Sequence, residues 1–291
     1  MLLIGISTIV LTLTICFLAI GKILAPTAGF RDAVRRVLAR VVELWIGVNN
    51  FVLSLYRQPQ WDVDIPPGLD RRKSCVVACN HQSWVDILVL QRCFNLRLPL
   101  LAFFIKSALI WVPFLGIAWW ALDFPFMRRV SKKELARNPR LKGRDLENAR
   151  KTCEKFKTTP IAMMSFPEGT RFSPAKRDRL SSPYRHLLRP RTGGIGQVLY
   201  ALGDRLDALV DVTIVYPESL RRGQAPTFWE LVSGQLPAIV VRAEKREIPS
   251  SLLGRNFTTD TAARRELQTW INGLWQEKDR LISELADSAA R

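Results

Sequence analysis

Hydrophobic positions along this chain fall into three patterns, each of which predicts a different kind of element. Residues 2–24 run apolar with no charge before Lys22. At about 1.5 Å rise per residue, about 20 such residues cross a hydrocarbon core of about 30 Å. No basic residue precedes the run in MLLIGISTIV, so the pattern predicts a retained anchor rather than a cleaved signal. A second apolar stretch, residues 41–56, is shorter and carries Glu43, Asn49 and Asn50, which suits an interfacial or re-entrant helix. One span with a surface helix and a hairpin within one leaflet fit this pattern equally. Residues 98–126 form a third apolar run, broken by Lys106, Pro113, Gly116 and Asp123. A span there would separate the two strongest motifs by a bilayer, so it is expected to be a core or membrane-contacting segment.

Short apolar runs of strand length follow: SCVVAC at 74–79, IAMMSF at 161–166, LVDVTIVY at 209–216 and AIVVR at 238–242. Helical periodicity lies between them, from about Ser83 and over 193–202. Leu146, Ala149, Cys153 and Phe156 give an amphipathic helix over 145–157. Ser131 with Glu134 is a capping-box signature opening SKKELAR. The stretch QPQWDVDIPPG reads as a connector. Leu267, Trp270, Ile271, Leu274, Leu281, Ile282 and Leu285 mark one face of a closing amphipathic helix expected to pack on the domain. This alternation predicts an α/β fold, a largely parallel sheet flanked by helices, with an N-terminal membrane-anchoring helical segment. Residues 1–57 are the anchor and interfacial helix, 58–255 the α/β domain, and 256–291 the packed C-terminal helix. Functional residues should gather at the C-terminal ends of the strands.

Charge narrows the partners. Lys+Arg 43 against Asp+Glu 26 gives +17 and a pI near 10.3, which calls for anionic lipid headgroups, phosphorylated substrates or nucleic acid. Nucleic acid is set aside, because aromatics and cations are not interleaved in any recognised binding module and the anchor fits poorly. Arg31, Arg35, Arg36 and Arg40 follow the anchor closely and place the bulk of the chain on the cytoplasmic side. Five cysteines, an odd number without C-x-x-C spacing, read as reduced core thiols, with Cys75 and Cys79 on one side of a strand. With two histidines and no close cysteine or carboxylate cluster, no metal site is expected.

Candidate chemistry begins at Asn80-His81-Gln82-Ser83-Trp84-Val85-Asp86, where a strand passes into a helix. Within one helix a spacing of five puts residues about 140° apart, so pairing of His81 with Asp86 requires His81 to lie in the turn before it. The carboxylate then accepts the Nδ1 proton and leaves Nε2 as a base, the histidine–aspartate half of a hydrolase triad. No serine is needed if the substrate brings its own hydroxyl. Phe166-Pro167-Glu168-Gly169-Thr170-Arg171 follows the IAMMSF strand. Gly169 permits a tight turn, Arg171 and Thr170 offer donors suited to phosphate, and Glu168 is placed to hold that arginine or a substrate hydroxyl. Arg128 and Arg129 end an aromatic stretch and open a basic segment to residue 157, with twelve Lys/Arg against four Asp/Glu. His186 lies in a basic loop with no carboxylate near it in sequence and reads as surface or phosphate-contacting.

These blocks together resemble the lysophospholipid acyltransferase family, typified by 1-acyl-glycerol-3-phosphate acyltransferases, with NHQSWVD, the segment from Gly116 to Arg128/Arg129, FPEGTR and Val215-Tyr216-Pro217 occurring in order. The resemblance implies His81 as base with Asp86 as its orienting partner, and Glu168, Gly169, Thr170 and Arg171 as the glycerol-phosphate site. It also implies a phosphate-binding role for Arg128 or Arg129. Its second block, WWALDFPFMRR, is similar to a bacterial subgroup. The implied substrates are a lysophospholipid and an acyl thioester, acyl-CoA or acyl-carrier protein, at a bacterial inner membrane with the site facing the cytoplasm; no separate cofactor is implied. A catalytically idle lipid-binding or scaffold homologue is the other reading.

Overall fold

A computed structural model describes residues 2–24, 27–112, 115–127 and 159–288. Eight strands occur among them: β1 (Gln60–Asp64), β2 (Ser74–Cys79), β3 (Leu100–Phe103), β4 (Ile105–Lys106), β5 (Phe126–Met127), β6 (Ile161–Ser165), β7 (Leu206–Val215) and β8 (Ala238–Arg246). Six form one sheet in the order β1-β8-β7-β2-β6-β3, and β4 and β5 pair separately. All pairings are parallel except β7 with β8. Every residue of β2 and β6 is buried, which is why both read as unbroken apolar runs: a central parallel strand is covered on both faces.

Nine helices lie among the described residues: α1 (Leu2–Ile23), α2 (Ala28–Ser54), α3 (Val85–Phe94), α4 (Leu115–Ala121), α5 (Pro174–Arg179), α6 (Gly193–Leu202), α7 (Pro217–Arg222), α8 (Phe228–Val232) and α9 (Thr261–Ser288). Alternation along β2 splits the core. Val76 and Ala78 pack toward Ile195 of α6 and Leu267 and Ile271 of α9. Val77 and Cys79 pack toward Val89 and Phe94 of α3 and Leu231 of α8. The fold is therefore α/β with a largely parallel sheet flanked by helices, as the alternation predicts. Cys75, Cys79 and Cys93 are buried free thiols, and burial pushes the Cys75 thiol up to about 12.

Two elements differ from expectation. QPQWDVD is not a connector: Gln60–Asp64 pairs in parallel with Ala238–Arg242 as the edge strand β1. Only Trp61 in it is shielded from solvent, so backbone pairing rather than an apolar pattern makes the strand. The short apolar helix expected over residues 41–56 is the end of the 27-residue α2, capped where Thr27 accepts from the Phe30 amide. Its buried stripe of Val34, Leu38, Val42 and Ile46 runs at four-residue steps and begins among Arg31, Arg35, Arg36 and Arg40, whose charges mask it in the sequence.

The first two helices form a hairpin. Ser7 donates to Asn49 at 3.4 Å, which sets them antiparallel, and each is long and apolar enough to cross a membrane. The hairpin is also tied to the domain. Lys22 of α1 pairs with the buried Asp123 and donates to the Ala121 carbonyl at 2.7 Å. Arg35 of α2 meets the same carboxylate at 2.9 Å, Arg71 meets Glu43 at 2.7 Å, and Asn95 donates to the Glu43 carbonyl. Ile9, Leu13, Phe17 and Ile20 leave α1 with an exposed apolar side. Among the described residues of 98–126 no helix is long enough to cross a membrane. They break into β3, β4, a 3-10 turn at Ser107–Trp111 and α4, with Leu100 to Ala102 in the core and Trp111 86% exposed.

The C-terminal helix α9 buries Leu267, Ile271, Leu274 and Ile282, with Trp270, Leu281 and Leu285 partly covered. Its apolar face also includes Trp275 and, against any pattern reading, Lys278 at 1% exposure. The Lys278 ammonium lies 2.7 Å from Asp211 and donates to the Val212 carbonyl at 2.6 Å and the Thr213 hydroxyl at 3.0 Å. Removing one partner of such a pair strands a buried charge, whereas removing both does not. Lys278→Ala should therefore destabilise the protein by about 3–5 kcal/mol in denaturant unfolding. The pair Lys278→Met with Asp211→Asn should recover most of that loss.

Candidate active site

His81 lies between the end of β2 and α3, outside the helix, as a five-residue pairing demands. Its Nδ1 is 2.8 Å from Asp86 Oδ2. The same oxygen accepts the backbone amides of Gln82 at 2.6 Å and Ser83 at 2.9 Å, so Asp86 folds the preceding turn over the helix N-terminus as a capping carboxylate would. Its other oxygen accepts the Tyr216 hydroxyl at 2.7 Å, and the side chain is fully buried. A carboxylate only accepts, so Nδ1 carries the proton, and in the neutral ring Nε2 is the acceptor. Burial, followed by the Asp86 charge, holds the Tyr216 phenol well above its ordinary range, which keeps it a donor.

Asn80 supplies the frame. Its amide donates to the Ile214 carbonyl and accepts from the Ile214 amide, both at 2.8 Å, extending the β2–β7 ladder by side chain where the chain turns away. Phe166 stacks on the imidazole, with ring centroids 4.1 Å apart and planes 20° off parallel. The sequence marks Asn80, Phe166 and Tyr216 as motif members but carries no periodicity that reveals these roles.

The FPEGTR turn adjoins the histidine directly. Phe172 donates its amide to the His81 carbonyl at 2.7 Å, which brings Arg171 beside the NHQSWVD loop. The Arg171 guanidinium lies 5.6 Å from the ring centre of Trp84, an exposed indole, and has no carboxylate partner among the described residues. Gly169 sits at φ 68, the left-handed conformation that favours glycine. Thr170 accepts from Lys176 at 3.0 Å, and that ammonium also bonds the Arg171 carbonyl, tying the turn to α5.

Glu168 differs from expectation. It holds neither Arg171 nor an open acceptor position: its two oxygens take the backbone amides of His81 and Leu188, each at 2.8 Å, at 2% exposure. It staples the histidine loop to the 181–192 loop. His186 has a carboxylate close by after all, since Asp279 of α9 accepts the Arg185 and His186 amides, while the ring meets Ser283 at 3.1 Å. Burial lowers the His186 pKa. Arg128, Arg129, the helix expected over 145–157, SKKELAR and Cys153 fall outside the described residues. Among the described residues no cluster of histidine, cysteine and carboxylate has the makings of a metal site.

The site thus brings together an oriented imidazole at the end of β2 and an arginine without a carboxylate partner among the described residues. The chain belongs to the Acyltransferase family, whose model matches residues 62–217. It is 25% identical over 270 residues to lysocardiolipin acyltransferase 1 of Danio rerio, covering 88% of this chain and 64% of that protein. It is also 25% identical over 249 residues to 1-acyl-sn-glycerol-3-phosphate acyltransferase epsilon of Mus musculus, covering 77% of this chain and 60% of that protein. The chain thus spans less than two thirds of the length of these curated relatives. The crystal structure of the 1-acyl-sn-glycerophosphate acyltransferase PlsC of Thermotoga maritima shares the fold, with a TM-score of 0.53 at 15% identity over 97% of each chain.

Burial, opposed by the two amide bonds, pushes the Glu168 carboxyl up from 4.5 to about 8. A carboxyl with a raised folded-state pKa binds its proton more tightly when folded, so its contribution is complete below 4.5 and is lost as pH rises through about 8. Stability followed by denaturant unfolding should therefore decline across that window. Glu168→Gln should flatten this part of the profile while lowering stability throughout, because its amide cannot accept both N–H groups.

Proposed function

We propose that this chain transfers a fatty acyl group from an acyl thioester, acyl-CoA or acyl-carrier protein, to the free hydroxyl of lysophosphatidic acid or a related lysophospholipid. The observation that carries this reading is the 2.8 Å bond from His81 Nδ1 to a buried, four-times-satisfied Asp86, which leaves Nε2 as a base at the mouth of the site. His81 Nε2 takes the hydroxyl proton as the acceptor oxygen bonds to the thioester carbonyl carbon. The tetrahedral intermediate then expels sulfur, the C–S bond breaks, and the imidazolium returns the proton to the departing thiolate. Ester and thiol are the products, with no redox change. A positioned general base is worth about 10²–10⁴-fold, so alignment of the two substrates supplies much of the rest.

Arg171, held over Trp84 with no carboxylate partner among the described residues, is suited to the acceptor phosphate, with Gly169 and Thr170 shaping the turn that presents it. Arg128 or Arg129 supplies a second phosphate contact in this reading. Apolar residues on the outer side of α1 suit the bilayer, and the Arg35, Arg71 and Asn95 contacts along α2 keep the hairpin against the domain. The chain is thereby seated at a membrane carrying anionic lipids, the bacterial inner membrane in this reading, with the site on the cytoplasmic side.

Thiol release by membranes supplied with acyl-CoA and lysophosphatidic acid tests the mechanism. His81→Ala should lower the rate by 10²-fold or more; release that persists in that variant removes His81 as base. No release by the wild-type chain with any donor and acceptor would favour the idle scaffold. Tyr216→Phe should reduce kcat by about tenfold with little change in KM, because it removes one hydrogen bond to Asp86 and touches no substrate.

A further inference from the structure

A cleft of about 660 Å³ opens next to the histidine loop. Gln82 and Phe172 line it, and both belong to the turns that hold His81: the Gln82 amide bonds Asp86, and the Phe172 amide bonds the His81 carbonyl. Its walls carry Arg177, Arg185, His186 and Arg221, with Asp287 as the one lining carboxylate. Arg177 and Arg221 have acidic neighbours in Asp178 and Glu218, whereas Arg185 has no carboxylate partner among the described residues. The surrounding segment, residues 171–191, holds seven Lys/Arg and a single acid, Asp178. A solvent-open cavity with that excess of guanidinium groups is built for phosphate oxygens.

Topology says which substrate uses it. Counting along the sheet, β7 lies on one side of β2 and β6 and β3 on the other. The cleft is walled by the segments after β6 and β7, which flank β2, and by the end of α9, whereas the apolar hairpin meets α4, the β3 edge and α3. His81, after β2, stands between the two. No hairpin residue lines the cleft, so a lipid acceptor coming from the hairpin and a water-soluble thioester entering the cleft would reach the same imidazole by separate approaches.

We infer that this cleft seats the phosphorylated end of the acyl-thioester donor, either coenzyme A or the phosphopantetheine arm of a carrier protein, with the thioester reaching His81 past Gln82 and Phe172. The inference rests on the acyl-transfer reading above and adds to it a location for the donor. Arg185 and Arg221 recognise the phosphates. Neither holds the fold: the Arg185 backbone amide, not its side chain, bonds Asp279, and Arg221 makes a surface pair with Glu218.

The full chain in lipid nanodiscs, with Arg185→Ala and Arg221→Ala combined, tests this. The KM for the donor should rise tenfold or more, while the KM for lysophosphatidic acid and turnover of a phosphate-free S-acyl-N-acetylcysteamine stay at wild-type values. A rise with acyl-CoA assigns the site to coenzyme A, and a rise only with acylated carrier protein assigns it to the carrier arm; either upholds the cleft. An unchanged KM for both donors, or an equal rise for the acceptor or the phosphate-free thioester, overturns it. If the wild-type chain transfers no acyl group, the underlying reading fails by itself. Calorimetric binding of free coenzyme A and of holo-carrier protein then decides the cleft: binding lost in the double variant upholds it, and binding equal or absent in both proteins overturns it.

Discussion

A single carboxylate taken out of water organises this domain. Asp86 receives four donors from three directions: an imidazole, two amides of the turn before α3, and a phenol from the strand end across the sheet. Each buried hydrogen bond to a charge contributes about 1.5–3 kcal/mol, and leaving such a charge short of partners is costly. The loop that carries His81 therefore has one low-energy path, and the ring has one orientation. Tyr216, reaching Asp86 from the end of β7, links the geometry of the base to the register of a strand 130 residues away in sequence.

Around that anion the chain uses backbone-directed side chains rather than extra charge. Asn80 splices β2 to β7, and Glu168 joins the histidine loop to Leu188. Desolvation raises the Glu168 carboxyl toward neutrality, which spares the site a second full anion near Asp86. Phe166 covers one face of the imidazole, so the ring is held by a bond at one nitrogen and by stacking. Arg171, over Trp84, and Arg185, in the wall of the cleft, have no carboxylate partner among the described residues.

Much of this was legible in the chain. SCVVAC and IAMMSF are strands because fully buried parallel strands carry continuous apolar runs, and the bounds of β2 and α6 agree with the pattern. The His81–Asp86 geometry follows from a spacing of five at a strand-to-helix junction. What escaped shares a physical cause: the stabilising partner is distant in sequence or is backbone. The β1 edge strand buries too little to leave a pattern, Glu168 spends itself on amides that sequence does not display, and Lys278 looks like an error on an apolar face until Asp211 is placed against it. The α2 stripe lies at four-residue steps, but the arginines among which it begins obscure it, and Arg35 finds its buried partner, Asp123, on another element.

The Asn80 side chain has a consequence of its own. By donating and accepting toward one residue it counterfeits a peptide unit, so the strand can end while its neighbour senses no gap. Aspartate there would confront the Ile214 carbonyl with a lone pair, and leucine would orphan the Ile214 amide in a dry interior and leave the carbonyl only the Gln82 side-chain amide. Serine and threonine also donate and accept, but from one oxygen; the carboxamide sets donor and acceptor on two atoms, as a peptide unit does, which makes the position before His81 chemically narrow.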